Sequence, residues 1–174
     1  MSFLDPKNVL SQVPISTGSV VADFGAGSGY FTIEAAKRAN PGTVYAIDIM
    51  EEPLENINSK AQTLGLNNVK TIRADLEKVG NLQLDNGVCD LVIVSNILFQ
   101  VKNRTALMRE AQRVLKKEGF LLLIEWVPEK MLYSKGLKPI GADEARKLAE
   151  TAGFVFEKSI DAGTYHYGFL FKRP

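Results

Sequence analysis

Apolar and polar positions along the 174-residue chain fall into two rhythms that take turns. Runs such as Val20-Val21-Ala22 and Leu91-Val92-Ile93-Val94 are apolar almost without a break, the pattern of strands buried on both faces. Leu54, Ile57, Ala61 and Leu64 instead recur at three- and four-residue spacing, the pattern of a helix with one buried face. Read in order with the turn residues, these rhythms predict a short helix over 5–12 with Pro6 in its first turn, and then a strand over 19–24. A helix from Tyr30 to about residue 39 stops at Asn40-Pro41-Gly42, and a second strand covers 43–48. Next come a helix with Pro53 in its first turn and Gly65 as its stop, and a third strand over 69–73.

The stretch 76–87 reads as irregular, with Asp85-Asn86-Gly87 as the turn before the apolar strand 88–94, the expected centre of the sheet. An amphipathic helix follows over 104–117, and Lys117-Glu118-Gly119 reads as the turn into a fifth strand over 120–126. The longest loop is expected over 127–141. A last helix over 142–152 ends at Gly153, and strands over 154–159 and 165–171 flank Asp161-Ala162-Gly163-Thr164 as an antiparallel hairpin. Strands alternating with helices imply an α/β fold, a doubly wound, mostly parallel sheet covered on both faces. In such sheets ligands lie across the carboxyl ends of the strands at the topological switch point, here between the first and fourth strands. Asp23, Asp48, Asp75, Ser95 and Glu125 all fall at or just beyond such ends.

Composition narrows the classes without choosing a chemistry. With 45% hydrophobic and 24% charged residues, the chain is expected to form a single domain over 1–174. A net charge of +1 gives no broad attraction to nucleic acid or an acidic membrane, so neither is indicated as a partner. Cys89 is the only cysteine and has no internal disulfide partner. No apolar run has the length of a membrane span or the flanks of a signal peptide, and a cytoplasmic protein is expected.

The chemistry concentrates in Asp23-Phe24-Gly25-Ala26-Gly27-Ser28-Gly29, placed between the first strand and the helix opened by Tyr30. Missing side chains let such a turn adopt positive φ and approach a ligand closely, while the helix start presents unpaired N–H groups. The dinucleotide fingerprint G-x-G-x-x-G would need glycine where Tyr30 stands. Asp48 ends the second strand 19 residues after Gly29, where a carboxylate can accept both hydroxyl hydrogens of a ribose. Ile49 and Met50 offer apolar area for an adenine face. Asp75 can accept from an exocyclic amine, and the Leu76 N–H can donate to a ring nitrogen.

These residues resemble the class I S-adenosylmethionine-dependent methyltransferases, most closely their small UbiE-like, methyltransferase-domain members. The likeness rests on the acid-first glycine turn, the acid at Asp48, Asp75-Leu76, the segment Cys89-Asp90-Leu91-Val92-Ile93-Val94-Ser95-Asn96, and Val114-Leu115-Lys116-Lys117-Glu118-Gly119-Phe120 before the fifth strand. A late His166-Tyr167-Gly168 adds to it. The resemblance implies a Rossmann-like seven-stranded sheet in the order 3-2-1-4-5-7-6 with its last strand antiparallel. It also implies an enzyme that transfers a methyl group from S-adenosylmethionine to an acceptor not identified, a small molecule or a protein side chain. By the same resemblance Asp23, Gly25, Gly27 and Gly29 surround the methionine part, Asp48 the ribose, Asp75 and Leu76 the adenine, and Ser95 and Asn96 the wall near the sulfonium, while Ala26 and Tyr30 beside the glycines are further cofactor-binding candidates.

Several roles stay open in the residues themselves. Asp23 either contacts the ligand or braces the glycine turn. Glu125 either orients an acceptor or only bonds neighbouring N–H groups. His166, the sole histidine, is either a general base or a structural group, and these two are the candidate catalytic residues. Cys89 reads as a core residue, and no cluster with metal-ligand spacing appears. The segment before Ser19, the stretch 97–103 and the loop 127–141 are the parts able to cover the site, and a protein acceptor or partner is compatible with covers so short. Two rival functions remain, a non-catalytic S-adenosylmethionine-binding module or partner subunit and an NAD-dependent Rossmann enzyme.

Overall fold

The computed structural model describes residues 3–131 and 137–174. Seven strands, β1 (Val21–Phe24), β2 (Val44–Asp48), β3 (Val69–Arg73), β4 (Cys89–Ser95), β5 (Leu115–Trp126), β6 (Val155–Ile160) and β7 (His166–Lys172), form one sheet in the order β3-β2-β1-β4-β5-β7-β6. β7 runs antiparallel to both of its neighbours, β5 and β6, while the remaining pairs are parallel. This is the order and hairpin the sequence led to. The switch point falls between β1 and β4, where the connections leave in opposite directions.

The strand side chains alternate between two apolar layers. On one face Val21, Leu91, Ile93 and Leu122 pack against α1 (Pro6–Ser11) and α2 (Tyr30–Ala39), and Ala46 meets Leu54 and Ile57 of α3 (Glu51–Thr63). On the other, Ala22, Phe24, Val92 and Leu121 pack with α4 (Arg104–Val114) and α5 (Ala142–Thr151). An unbroken apolar run such as Leu91 to Val94 of β4, all four residues buried, is what a sheet with helices on both faces requires. Among the described residues no helix is long and apolar enough to cross a membrane.

The connection from β3 to β4 carries no helix, as the irregular reading of 76–87 anticipated. It is fixed from α4 instead. The fully buried Glu110 accepts the Gly80 N–H at 2.8 Å and the Arg113 Nη2 at 2.9 Å, and Arg113 in turn donates to the Leu82 and Leu84 carbonyls. Leu76 and Leu82 are buried beneath it.

Two boundaries differ from the sequence reading by more than one residue. The first strand begins at Val21 rather than residue 19, because the Ser19 hydroxyl accepts the Ser16 N–H and the Asp90 carboxylate takes the Val20 N–H at 2.8 Å. Lys117-Glu118-Gly119 is not a turn after a helix ending at 117. α4 stops at Val114, and β5 already pairs Leu115 with Cys89, so these residues form a bulge within the strand before Phe120 joins Leu91. Glu118 there adopts φ 66, and its N–H bonds the Arg173 carbonyl at 2.8 Å. Amphipathic spacing continues through Leu115, but burial beside Cys89 decides for the strand.

Candidate functional site

The glycine turn links β1 to α2 and is tied to β2, because the Gly25 and Ala26 N–H groups both donate to the Ile47 carbonyl, at 2.8 and 2.9 Å. Gly25, Gly27 and Gly29 all have positive φ, at 72°, 49° and 74°. Their surroundings differ. An added Cβ at Gly25 would come within 2.4 Å of Ile97 Cδ1, and one at Gly29 within 2.5 Å of Ile57 Cγ1, so packing demands these two. At Gly27 the nearest atom would be 3.8 Å away, so the middle glycine faces open space. A side chain there would fill a cradle, not strike the protein.

Two cavities meet over that turn. The larger, about 510 Å³, lies against Leu4, Asp23, Gly29, Tyr30 and Ser95. The smaller, about 320 Å³, lies against Asp48, Ile49, Asp75, Leu76 and Ile97. Gly25, Gly27, Asn96 and Gln100 line both. The larger carries Asp5 and Asp23, and the smaller Asp48, Asp75 and Glu77, and among the described residues no lysine, arginine or histidine lines either wall. Such a field favours a cationic ligand.

Asp48 stands at the end of β2 with each oxygen already accepting one backbone N–H, Gly27 on Oδ2 and Met50 on Oδ1, both at 3.0 Å. Each oxygen keeps a lone pair for a hydroxyl, and the two bonds fix its aim. Asp75 accepts the Glu77 N–H at 3.0 Å and pairs with Lys78 at 3.0 Å, contacts that hold its carboxyl below the usual range, the lysine first. Leu76 is buried beside it. Ala26 is buried in the turn and Tyr30 is two-thirds exposed at the mouth, with Lys60 4.5 Å above its ring.

The remaining candidate residues sit in different surroundings. Asp23, 2% exposed, accepts the Thr32 hydroxyl at 2.6 Å, so it braces the first turn of α2 while lining the larger cavity. Burial pushes its carboxyl up to about 6. Met50 caps α3, its side chain half-exposed, and does not line either cavity, since the chain turns into the helix directly after Ile49. The two candidate catalytic residues, Glu125 and His166, line neither cavity. Glu125 is 1% exposed with Oε1 accepting the Leu98 N–H at 2.6 Å, and burial pushes it up to about 7. His166 packs against Trp126 at 4.1 Å with both ring nitrogens buried and unpartnered, and burial holds its imidazole below its ordinary value. Burial also pushes the Cys89 thiol up to about 12, an inert core group.

Leu4, Thr32, Ile97 and Gln100 were not singled out by the sequence, although 97–103 and the segment before Ser19 were named as covers. The structure brings both segments to the cavities. Residues 1–2 and 132–136, parts of two expected covers, lie outside the described residues. One residue of the shared wall has a polar atom without a partner. Asn96, at φ 55 just beyond β4, has a buried Oδ1 with no hydrogen-bond partner. Among the described residues no group of three or more potential metal ligands occurs.

Comparison with known proteins places this geometry. Residues 15–158 match a family model described as a methyltransferase domain. A ribosomal protein L11 methyltransferase of Streptococcus thermophilus is 31% identical over 153 residues, 86% of this chain and 41% of that protein, so the chain spans less than half of its relative's length. The structure of a SAM dependent methyltransferase from Aquifex aeolicus superposes with a TM-score of 0.86 at 26% identity, over 99% of this chain and 91% of the other. The cyclase SpnF superposes at 0.84 with 16% identity, over 97% of this chain and 79% of the other, a likeness of fold alone.

Proposed function

The chain belongs to the class I S-adenosylmethionine-dependent methyltransferase family, and from that premise we propose that it methylates a nitrogen nucleophile presented beside Asn96. The observation that carries this reading is Asn96, a residue common to the walls of both cavities whose amide oxygen is buried without a hydrogen-bond partner and reaches an acceptor once the side chain turns toward them. A buried amide oxygen without a donor costs free energy until a ligand supplies one. Turned toward the cavities, it can accept one N–H of a neutral amine and so aim the nitrogen lone pair, but it cannot remove a proton from a hydroxyl. Glu125 and His166 line neither cavity, and of the acids that do, Asp23 is bonded to Thr32 while Asp48 and Asp75 are assigned to the donor, so an acceptor that is already nucleophilic fits best.

The donor fits the residues present. Asp48 would hold the ribose hydroxyls, Asp75 and Leu76 the adenine, and the space over Gly27 the methionine part, with Asp23 and Asp5 supplying negative field near its cationic groups. When bound, S-adenosylmethionine supplies an electrophilic methyl on a sulfonium. The chain's own work is alignment and exclusion of water, with reacting atoms about 3 Å apart. The relative named for ribosomal protein L11 supports a protein-borne amine. A single reduced, buried cysteine supports action in the cytoplasm, in one domain over 1–174.

Calorimetry with S-adenosylhomocysteine and with NAD is the first test, and tighter binding of NAD sinks the reading. Incubation of cell extract with methyl-labelled donor is the second. Label is expected in protein, stable to base and recovered as a methylated amine after hydrolysis. Base-labile label would point to an ester and remove the nitrogen assignment. Binding of S-adenosylhomocysteine without any transfer would favour the non-catalytic module.

A further inference from the structure

After β4 the chain crosses the top of the sheet through residues 96–103, and Asn96, Ile97 and Gln100 on this crossing wall the cavities before α4 begins. Two carboxylates hold its backbone, Glu77 taking the Lys102 and Asn103 N–H groups at the far end, at 3.0 and 2.8 Å, and Glu125 the end nearer β4. Glu125 Oε1 accepts the Leu98 N–H at 2.6 Å, and the N–H groups of Ile97 and Trp126 also favour the charged form. A guanidinium takes the other side of the same residue, Arg104 Nε donating to the Leu98 carbonyl at 2.7 Å while its Nη1 reaches Glu144 at 3.0 Å. Leu98 is thereby gripped at both backbone polar atoms, with its side chain fully buried. Ile97, one residue back, is pressed toward Gly25, the residue whose added Cβ would meet it at 2.4 Å.

We propose that Glu125 is a positioning residue that, through the Leu98 and Ile97 N–H groups, sets the 96–101 crossing against the glycine turn and so shapes both cavities without touching donor or acceptor. The ligand's identity rests on the methyltransferase reading above. Burial opposes the charge on Glu125, whereas its backbone donors and Arg104 favour it, and the Tyr167 phenol lies within reach of that charge. The grip is firmest with the carboxylate ionised and loosens on protonation near neutrality.

S-adenosylhomocysteine is the probe, measured by calorimetry on the full chain, wild type against Glu125→Gln, Ile97→Ala and the double variant. Glutamine keeps the shape and one acceptor oxygen but removes the charge, and about tenfold to hundredfold weaker binding is expected. Because Glu125 acts through the crossing that carries Ile97, the double variant should bind about as well as the weaker single one. Wild-type affinity in Glu125→Gln, or a double loss equal to the product of the two single losses, overturns the proposal. A wild-type chain that does not bind S-adenosylhomocysteine overturns the methyltransferase reading instead. A second readout needs no ligand and no variant, namely the Leu98 amide proton followed by nitrogen-15 NMR from about pH 5 to about pH 9. It should move with a midpoint near 7, as Glu125 titrates. A Leu98 amide that stays still over that range overturns the proposal even if the variants fail to fold.

Discussion

The two halves of the sheet treat their acids in opposite ways. On the β1–β3 side Asp48 and Asp75 sit at strand ends, are aimed by backbone N–H groups and face a cavity. On the β4–β5–β7 side Glu125 and His166 are buried, one spent on the backbone of a neighbouring loop and the other without a partner. The first half leaves these two acids open to a cavity; the second spends or hides Glu125 and His166 within the fold. The difference teaches that an acid beyond a strand end is a site residue only if the next turn leaves it open. After β2 the chain folds back into α3 and leaves Asp48 uncovered, whereas after β4 the crossing 96–101 lies over Glu125.

The sharpest way to break this comparison is at the cradle. Gly27→Val places a β-branched side chain at φ 49, in space that nothing in the protein occupies. Binding of S-adenosylhomocysteine is expected to fall by more than about a hundredfold, with the melting temperature lowered by only a few degrees, since left-handed strain costs about 1–2 kcal/mol. Retained affinity would mean that the ligand does not approach the middle glycine.

Smaller effects separate the two acids of the donor half. Asp48→Ala removes a charged acceptor for two hydroxyls and also the partners of Gly27 and Met50 N–H, so affinity should drop roughly tenfold to hundredfold, for a loss of about 1.5–3 kcal/mol. Asp75→Ala removes a contact to one amine and should cost about tenfold or less. Calorimetry on both variants checks the order, and a larger loss at Asp75 would reverse the assignment of ribose and adenine ends.

The smallest change tests the other half. His166→Leu replaces a buried imidazole that has no partner, so the fold should tolerate it or gain up to about 1–3 kcal/mol. The pH dependence has a definite sign. Burial lowers the folded-state pKa of His166, so the unfolded chain takes up a proton first as pH falls through 6.5, and the wild type loses stability there that the variant keeps. The gain in melting temperature should therefore grow below about pH 6.5. If transfer activity collapses in this variant while S-adenosylhomocysteine still binds, the imidazole belongs to the reaction and the contrast between the halves fails.

Local pattern alone carried the element order, the doubly wound sheet, the glycine turn and the acids of the donor half, because each is written in contiguous residues. Two alternating periods identify strands and helices, and Gly25, Gly27, Gly29 and Asp48 depend on the geometry of one strand, one turn and one helix start. What tertiary structure decided is everything that depends on residues meeting from far along the chain. Leu115 joined β5 because Cys89 lay beside it, Gly25 was reserved by Ile97, and Glu125 was turned from acceptor chemistry to the support of Leu98, 27 positions away in sequence. Asn96 belongs to both accounts: its place after the fourth strand is legible in the sequence, but that its amide oxygen is buried and unpartnered follows only from what packs around it. Spacing along a strand fixes where a side chain starts, and only the packing of other segments over it fixes whether a ligand, the backbone or nothing completes its hydrogen bonds.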